Sequence, residues 1–156
     1  MQIDEVFNER LIDLDLQATT KDEAIQKLVS VLYHQGIIRD EDIFLQSVLE
    51  REKISSTYCG VDLAIPHGIS DVVRRPAVCF ARAEEFYWDD SQQDPVSFVV
   101  MLAIPKDKRA QGAHIEMLSA ISLLFLEDDL RALWKETDSP QVVYESIVEA
   151  LKKQAQ

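Results

Sequence analysis

The feature that most limits what this chain can become is a double change of period. In its middle lie three β-rich runs, "DLAI" (62–65), "AVCFAR" (77–82) and "VSFVVMLAI" (96–104), while on either side apolar residues recur every three or four positions. β-Branched and aromatic side chains crowd a helix but pack well on a pleated surface, so the middle predicts a sheet and the flanks predict helices. A sheet with helices before and after it has to bury its faces beneath them, which gives an α/β class with at least one mixed strand pairing.

Upstream, "LIDLDL" (11–16) sets Ile12, Leu14 and Leu16 against acidic residues at period two, the pattern of a strand with one wet face. Thr20 starts a T-x-x-E capping box with Glu23, after which Ala24, Ile25, Leu28, Val29 and Leu32 form a stripe that Gly36 can stop in a left-handed conformation. Asp40 can cap a second helix, with Phe44 stacked on Val48 and Leu45 on Leu49, running to Arg51 or Glu52. "SSTYCG" (55–60) reads as a turn and "FYWDDSQQDP" (86–95) as a hairpin-like connection. From Ala113 the period is helical, with His114, Leu118, Ile121 and Phe125 on one face. Two further helices follow, "DDLRALWKE" (128–136) and one capped by Ser139 with Pro140 in its first turn.

Length and charge narrow the task. A chain of 156 residues can bury a sizeable core without disulfides or metal, and residues 1–156 read as a single domain. A formal charge of -12 argues against gripping nucleic-acid phosphates, which needs a basic stripe, and points to a basic partner or a locally basic patch. Nothing at the start resembles a leader, and no apolar run nears the roughly 20 residues of a membrane helix, so no direct membrane insertion and a cytoplasmic place are expected. With Cys59 and Cys79 as its two cysteines, the reduced state is favoured over a bridge.

"LAIPHG" (63–68) places His67 between Pro66 and Gly68, where a strand is expected to leave the sheet. Pro66 fixes its own φ and holds Ile65 extended, while Gly68 is free to turn, so the imidazole is aimed rigidly. It could equally turn a corner, bonded to backbone. Arg51, sixteen residues earlier, ends the second helix, where a surface ion pair with Glu50 or Glu52 is the ordinary explanation. His114 lies in the first turn of its helix, where free N–H groups and the dipole welcome an anion and favour a neutral, donating imidazole; it could also be a satisfied core histidine. Brought together, two histidines, an arginine and a helix N-terminus suit a phosphoryl group, because a neutral imidazole nitrogen is a nucleophile and the group's oxygens need positive charge and fixed donors. Zinc on His67, His114 and a cysteine is the competing use, but the spacings match no close-paired pattern, so neither metal nor cofactor is expected. A Cys59–His67 thiol nucleophile lacks a third group. His34, near the end of the first helix, reads as a surface residue.

Arg51, Glu52, Ser56, Thr57, Gly60 and then Ala64 to Gly68 form "RE-x-x-x-ST…G-x-x-x-AIPHG". This pattern resembles the fructose/mannitol-type enzyme IIA component of the phosphoenolpyruvate-dependent sugar phosphotransferase system. The resemblance extends over nearly the whole chain, from "TTKDEAIQKL" through "VSFVVMLAIP" to "HIEMLSAISLLF". It implies a three-layer α/β/α sandwich around a small mixed sheet. It further implies that His67 accepts a phosphoryl group from HPr and passes it to a cysteine of an EIIB domain, with His114 and Arg51 stabilising the group in transit. A regulatory, nitrogen-related IIA protein would use the same residues. The chain departs from the family pattern at Tyr58 and Cys59, and at Asp62, where a glycine is common.

Overall fold

The computed structural model describes residues 3–90, 93–112 and 114–154. Within them, strands β1 (Ile12–Leu16), β2 (Leu63–Ala64), β3 (His67–Ser70), β4 (Ala77–Phe86) and β5 (Val96–Pro105) form one mixed sheet. Helices α1 (Lys21–His34), α2 (Glu41–Ile54), α3 (Lys108–Gln111), α4 (His114–Leu124), α5 (Asp128–Glu136) and α6 (Pro140–Gln154) surround it.

The sheet runs β1, β4, β5 and then β2 with β3, so β1 is parallel to β4, β4 antiparallel to β5, and both β2 and β3 parallel to β5. The "FYWDDSQQDP" stretch therefore does close a hairpin; its Ser91 and Gln92 lie outside the described residues, as does Ala113. β4 and β5 each run ten residues, longer than the β-rich runs indicate. Pairing across the hairpin alternates two faces. Val78, Phe80 and Leu102 look one way, and Ala77, Cys79, Met101 and Ala103 look the other.

On the first face Phe80 stacks on Phe125, centroids 5.6 Å apart, and meets the fully buried Trp134 edge-on at 5.4 Å, which places α4 and α5 there with α6 packed on both. On the second lie α1 and α2, brought close by Gly68: a Cβ there would stand 2.9 Å from Phe44 Cε1 and 3.0 Å from Val48 Cγ2. The result is the three-layer α/β/α sandwich.

Local signals act largely as read. Thr20 accepts the Glu23 N–H and Asp40 the Ile43 N–H. The Glu23 carboxylate reaches back to the N–H and hydroxyl of Thr19, one residue before the cap. Gly36 ends α1 at φ 75°. α2 continues past Glu52 to Ile54, one turn beyond its apolar stripe.

Candidate functional site

His67 does not end a strand; it opens one. β2 and β3 hold the same register on β5 (Leu63 with Phe98, His67 with Leu102), so they are one strand interrupted at Ile65–Pro66. Pro66 has no N–H to give the ladder, yet its carbonyl still accepts from Leu102 N–H at 3.0 Å, which keeps the register through the break. Because His67 pairs with Leu102 and Gly68 with Ala103, the imidazole emerges on the α4 face while Gly68 lies under α2. It is half-buried, and its Nδ1 lies 3.1 Å from the carbonyl of Ile65. A carbonyl can only accept, so this contact puts the hydrogen on Nδ1 and the lone pair on Nε2.

Arg51 sits in the last turn of α2. It pairs with neither Glu50 nor Glu52; its Nη1 donates to the carbonyl of Ser55 at 2.7 Å. Neighbours on a helix point in different directions, and Glu52 faces inward, 7% exposed, where Lys21 lies 3.6 Å away and Thr57 donates both its N–H and its hydroxyl. Residues 57–59 then run antiparallel to 63–65, with Cys59 N–H on Leu63 O at 2.8 Å and Ile65 N–H on Thr57 O at 3.0 Å. The stretch that reads as a turn is thus an outer ribbon on the sheet edge. It ties Arg51, through Ser55, to a residue two positions from His67.

His114 is the first residue of α4, delivered there by α3, whose Gln111 Nε2 donates to Pro105 O at 2.8 Å, and by Gly112 at φ 52°. Its Nε2 meets the carboxylate of Glu5, in a short 3-10 turn (Ile3–Glu5) whose carbonyl is held by Arg75 Nε at 3.1 Å. The imidazole is a donor, then, but to an internal carboxylate. Nothing in the sequence singles out Glu5, one of 28 acidic residues and 109 positions from its partner. Among the described residues, no hydrogen bond or ion pair joins His67, His114 and Arg51 directly. The fold puts both histidines on the α4 side of the sheet and Arg51 at the end of α2, against the start of the edge ribbon.

Burial pushes the thiols of Cys59 and, far more, Cys79 upward, and Cys79 lies wholly in the core, so neither is disposed to act as a thiolate. Asp62 carries the one positive φ among the described non-glycine residues, 70°. A backbone in this region suits glycine, the residue that the resemblance leads one to expect at this position. Here the carboxylate offsets the strain: Oδ1 accepts Ser97 N–H at 2.8 Å and Ser97 Oγ–H at 2.7 Å, and Oδ2 pairs with Lys135 at 2.7 Å. His34 lies on the surface with Nδ1 2.8 Å from Ser30 O.

The family model described as "Phosphoenolpyruvate-dependent sugar phosphotransferase system, EIIA 2" matches residues 5–150. Over 145 residues the chain is 33% identical to the PTS system fructose-specific EIIA component of Haloferax volcanii, covering 91% of this chain and 92% of that one. It is 29% identical over 148 residues to the fructose-specific EIIABC component of Bacillus subtilis, covering 94% of this chain but 23% of that longer protein. Among solved structures, the nitrogen regulatory protein IIA-Ntr of Neisseria meningitidis superposes with a TM-score of 0.79 at 25% identity, covering 93% of this chain and 98% of that one.

Proposed function

This chain belongs to the phosphoenolpyruvate-dependent sugar phosphotransferase system EIIA 2 family, and from that membership we propose that residues 1–156 act as one phosphoryl carrier, loaded on His67 by phospho-HPr and unloaded onto a cysteine of an EIIB domain. The observation that carries the assignment is the His67 Nδ1 contact with Ile65 O, which leaves the lone pair on Nε2 of a half-buried ring on the α4 side of the sheet. In loading, Nε2 forms a bond to phosphorus as the donor's N–P bond breaks and its electron pair returns to the donor imidazole. With Nδ1–H retained, the phosphorylated ring is cationic. It therefore leaves readily as neutral imidazole when a thiolate forms the S–P bond.

His114 and Arg51 are assigned to the phosphoryl oxygens, as N–H donors carrying or able to carry positive charge. The EIIB partner is supported by the B. subtilis relative, whose name joins A, B and C parts in one protein. No helix of the described residues is long and apolar enough to cross a membrane, and the work is assigned to the cytoplasm.

The test is incubation with phosphoenolpyruvate, enzyme I and HPr. One acid-labile phosphoryl group should appear, and His67→Ala should abolish it; equal labelling of the variant would sink the assignment. A regulatory reading is favoured by the likeness to IIA-Ntr. Unloading onto a purified EIIB domain separates the two, since a protein with only a regulatory task would load but not unload there.

A further inference from the structure

We infer that Glu52 is a positioning residue for the phosphoryl acceptor, holding the imidazole of His67 in its Nδ1–H form through Thr57 and Ile65. The inference rests on His67 as the acceptor and adds a residue that never touches the transferred group. Its basis is an unbroken run of contacts. Thr57 gives both its donors to the buried Glu52 carboxylate, its carbonyl accepts Ile65 N–H at 3.0 Å, and the Ile65 carbonyl accepts His67 Nδ1–H at 3.1 Å. On the far side Lys21 balances Glu52 at 3.6 Å and reaches Asp89 at 2.7 Å, and Asp89 in turn accepts the hydroxyl of Ser56. Adjacent residues of α2 therefore clamp the start of the edge ribbon from two directions, Arg51 at Ser55 and Glu52 at Thr57.

Stability alone does not call for this arrangement. Burying the Glu52 carboxylate, with Lys21 only partly withdrawn from solvent beside it, carries a desolvation cost, and well-packed apolar side chains in such a place often serve a fold as well or better. A carboxylate that takes two donors from one residue does something an apolar side chain cannot: it gives Thr57 a single position. If Thr57 is released, the Ile65 carbonyl loses its fixed place and Nδ1–H loses its acceptor. The Nε2–H tautomer, which has no lone pair where phosphorus must bond, then becomes populated.

The experiment uses the full chain, with Glu52→Gln and Thr57→Val beside the unaltered protein. Nitrogen-15 NMR of the unphosphorylated imidazole reads the tautomer without any phosphoryl donor, and the initial rate of labelling by phospho-HPr reads the consequence. The unaltered protein should show Nδ1–H. Glu52→Gln should show both tautomers and a labelling rate reduced about tenfold, the lower end of what losing the orienting partner of a metal-bound histidine costs and the scale adopted for this ring. Thr57→Val should move both readouts the same way by less, and it decides the matter if Glu52→Gln does not fold. Variants that keep Nδ1–H overturn the inference, whether or not their rate falls. Absence of labelling in an unaltered protein that shows Nδ1–H overturns the carrier function and leaves the positioning standing.

Discussion

His67 and His114 are held in opposite ways. The first is fixed by backbone: a strand register kept through Pro66 and a carbonyl two residues away. The second is fixed by a side chain 109 positions distant, on a segment that reaches α4 only once the chain has folded. A backbone hold leaves the ring little freedom, and it is only as firm as the edge ribbon behind it, which Glu52 and Thr57 fix. A hold between partly exposed side chains, 29% for His114 and 48% for Glu5, is loose enough to be exchanged for an incoming anion. In the proposed carrier the acceptor is mounted rigidly and its helper adjustably, as suits a group that arrives, stays and leaves.

The sharpest test of the helper is His114→Ala. Transfer onto EIIB should slow by about 3 to 4 kcal/mol in the barrier, the usual cost of losing one preorganised donor, with little change in thermal stability because the side chain is partly exposed. Unchanged transfer would make His114 a packing residue. Rigidity of the acceptor's mount is challenged by Gly68→Ala, whose new methyl presses on Phe44 and Val48. Unfolding in denaturant should show a loss of about 1 to 3 kcal/mol. A variant as stable as the original would mean that α2 yields and that the strand carrying His67 is no fixed frame.

Glu5→Ala separates the two holds. It should shift the nitrogen-15 signals of His114 and leave those of His67 unmoved, while costing at most about 1 kcal/mol of stability, as partly exposed pairs do. Movement of both rings would show that the two sites are one. The smallest effect concerns acid. Burial raises the pKa of Asp89, but hydrogen bonds from Lys21 and Ser56 outweigh it and leave the carboxyl below its ordinary value of about 3.9. Its stabilising contribution is then complete above the ordinary aspartate range and is lost as pH falls through the lowered value. Asp89→Asn should lower Tm slightly at neutral pH, and the difference from the original protein should close as pH falls below the ordinary aspartate range; a difference that persists in acid would mean that the brace beneath His67 does not depend on this charge.

Much of the frame was legible because it rests on local chemistry. Thr20 and Asp40 cap as their hydroxyl and carboxylate dictate, and the β-rich runs form the sheet their branching favours. Three readings needed the fold to correct them. Pro66 interrupts a strand without ending it, since β5 keeps the register. Arg51 turns to a carbonyl because its acidic neighbour faces the core. "SSTYCG" is an edge ribbon because Glu52 waits beneath it.

By itself, then, the sequence determined the α/β class, most helix starts, the singling out of His67 between a proline and a glycine, and, through its motif, the family. Those features depend on dihedral limits and side-chain patterns spanning a few residues, which the order of residues carries directly. Only the tertiary structure decided that Glu5 meets His114, that Asp62 offsets its left-handed backbone with Ser97 and Lys135, and that Lys21 and Asp89 stand behind Glu52. Each joins charged or polar groups from distant parts of a chain with 28 acidic and 16 basic residues. Coulomb attraction makes almost any of those pairs acceptable; burial and strand register select the ones that form.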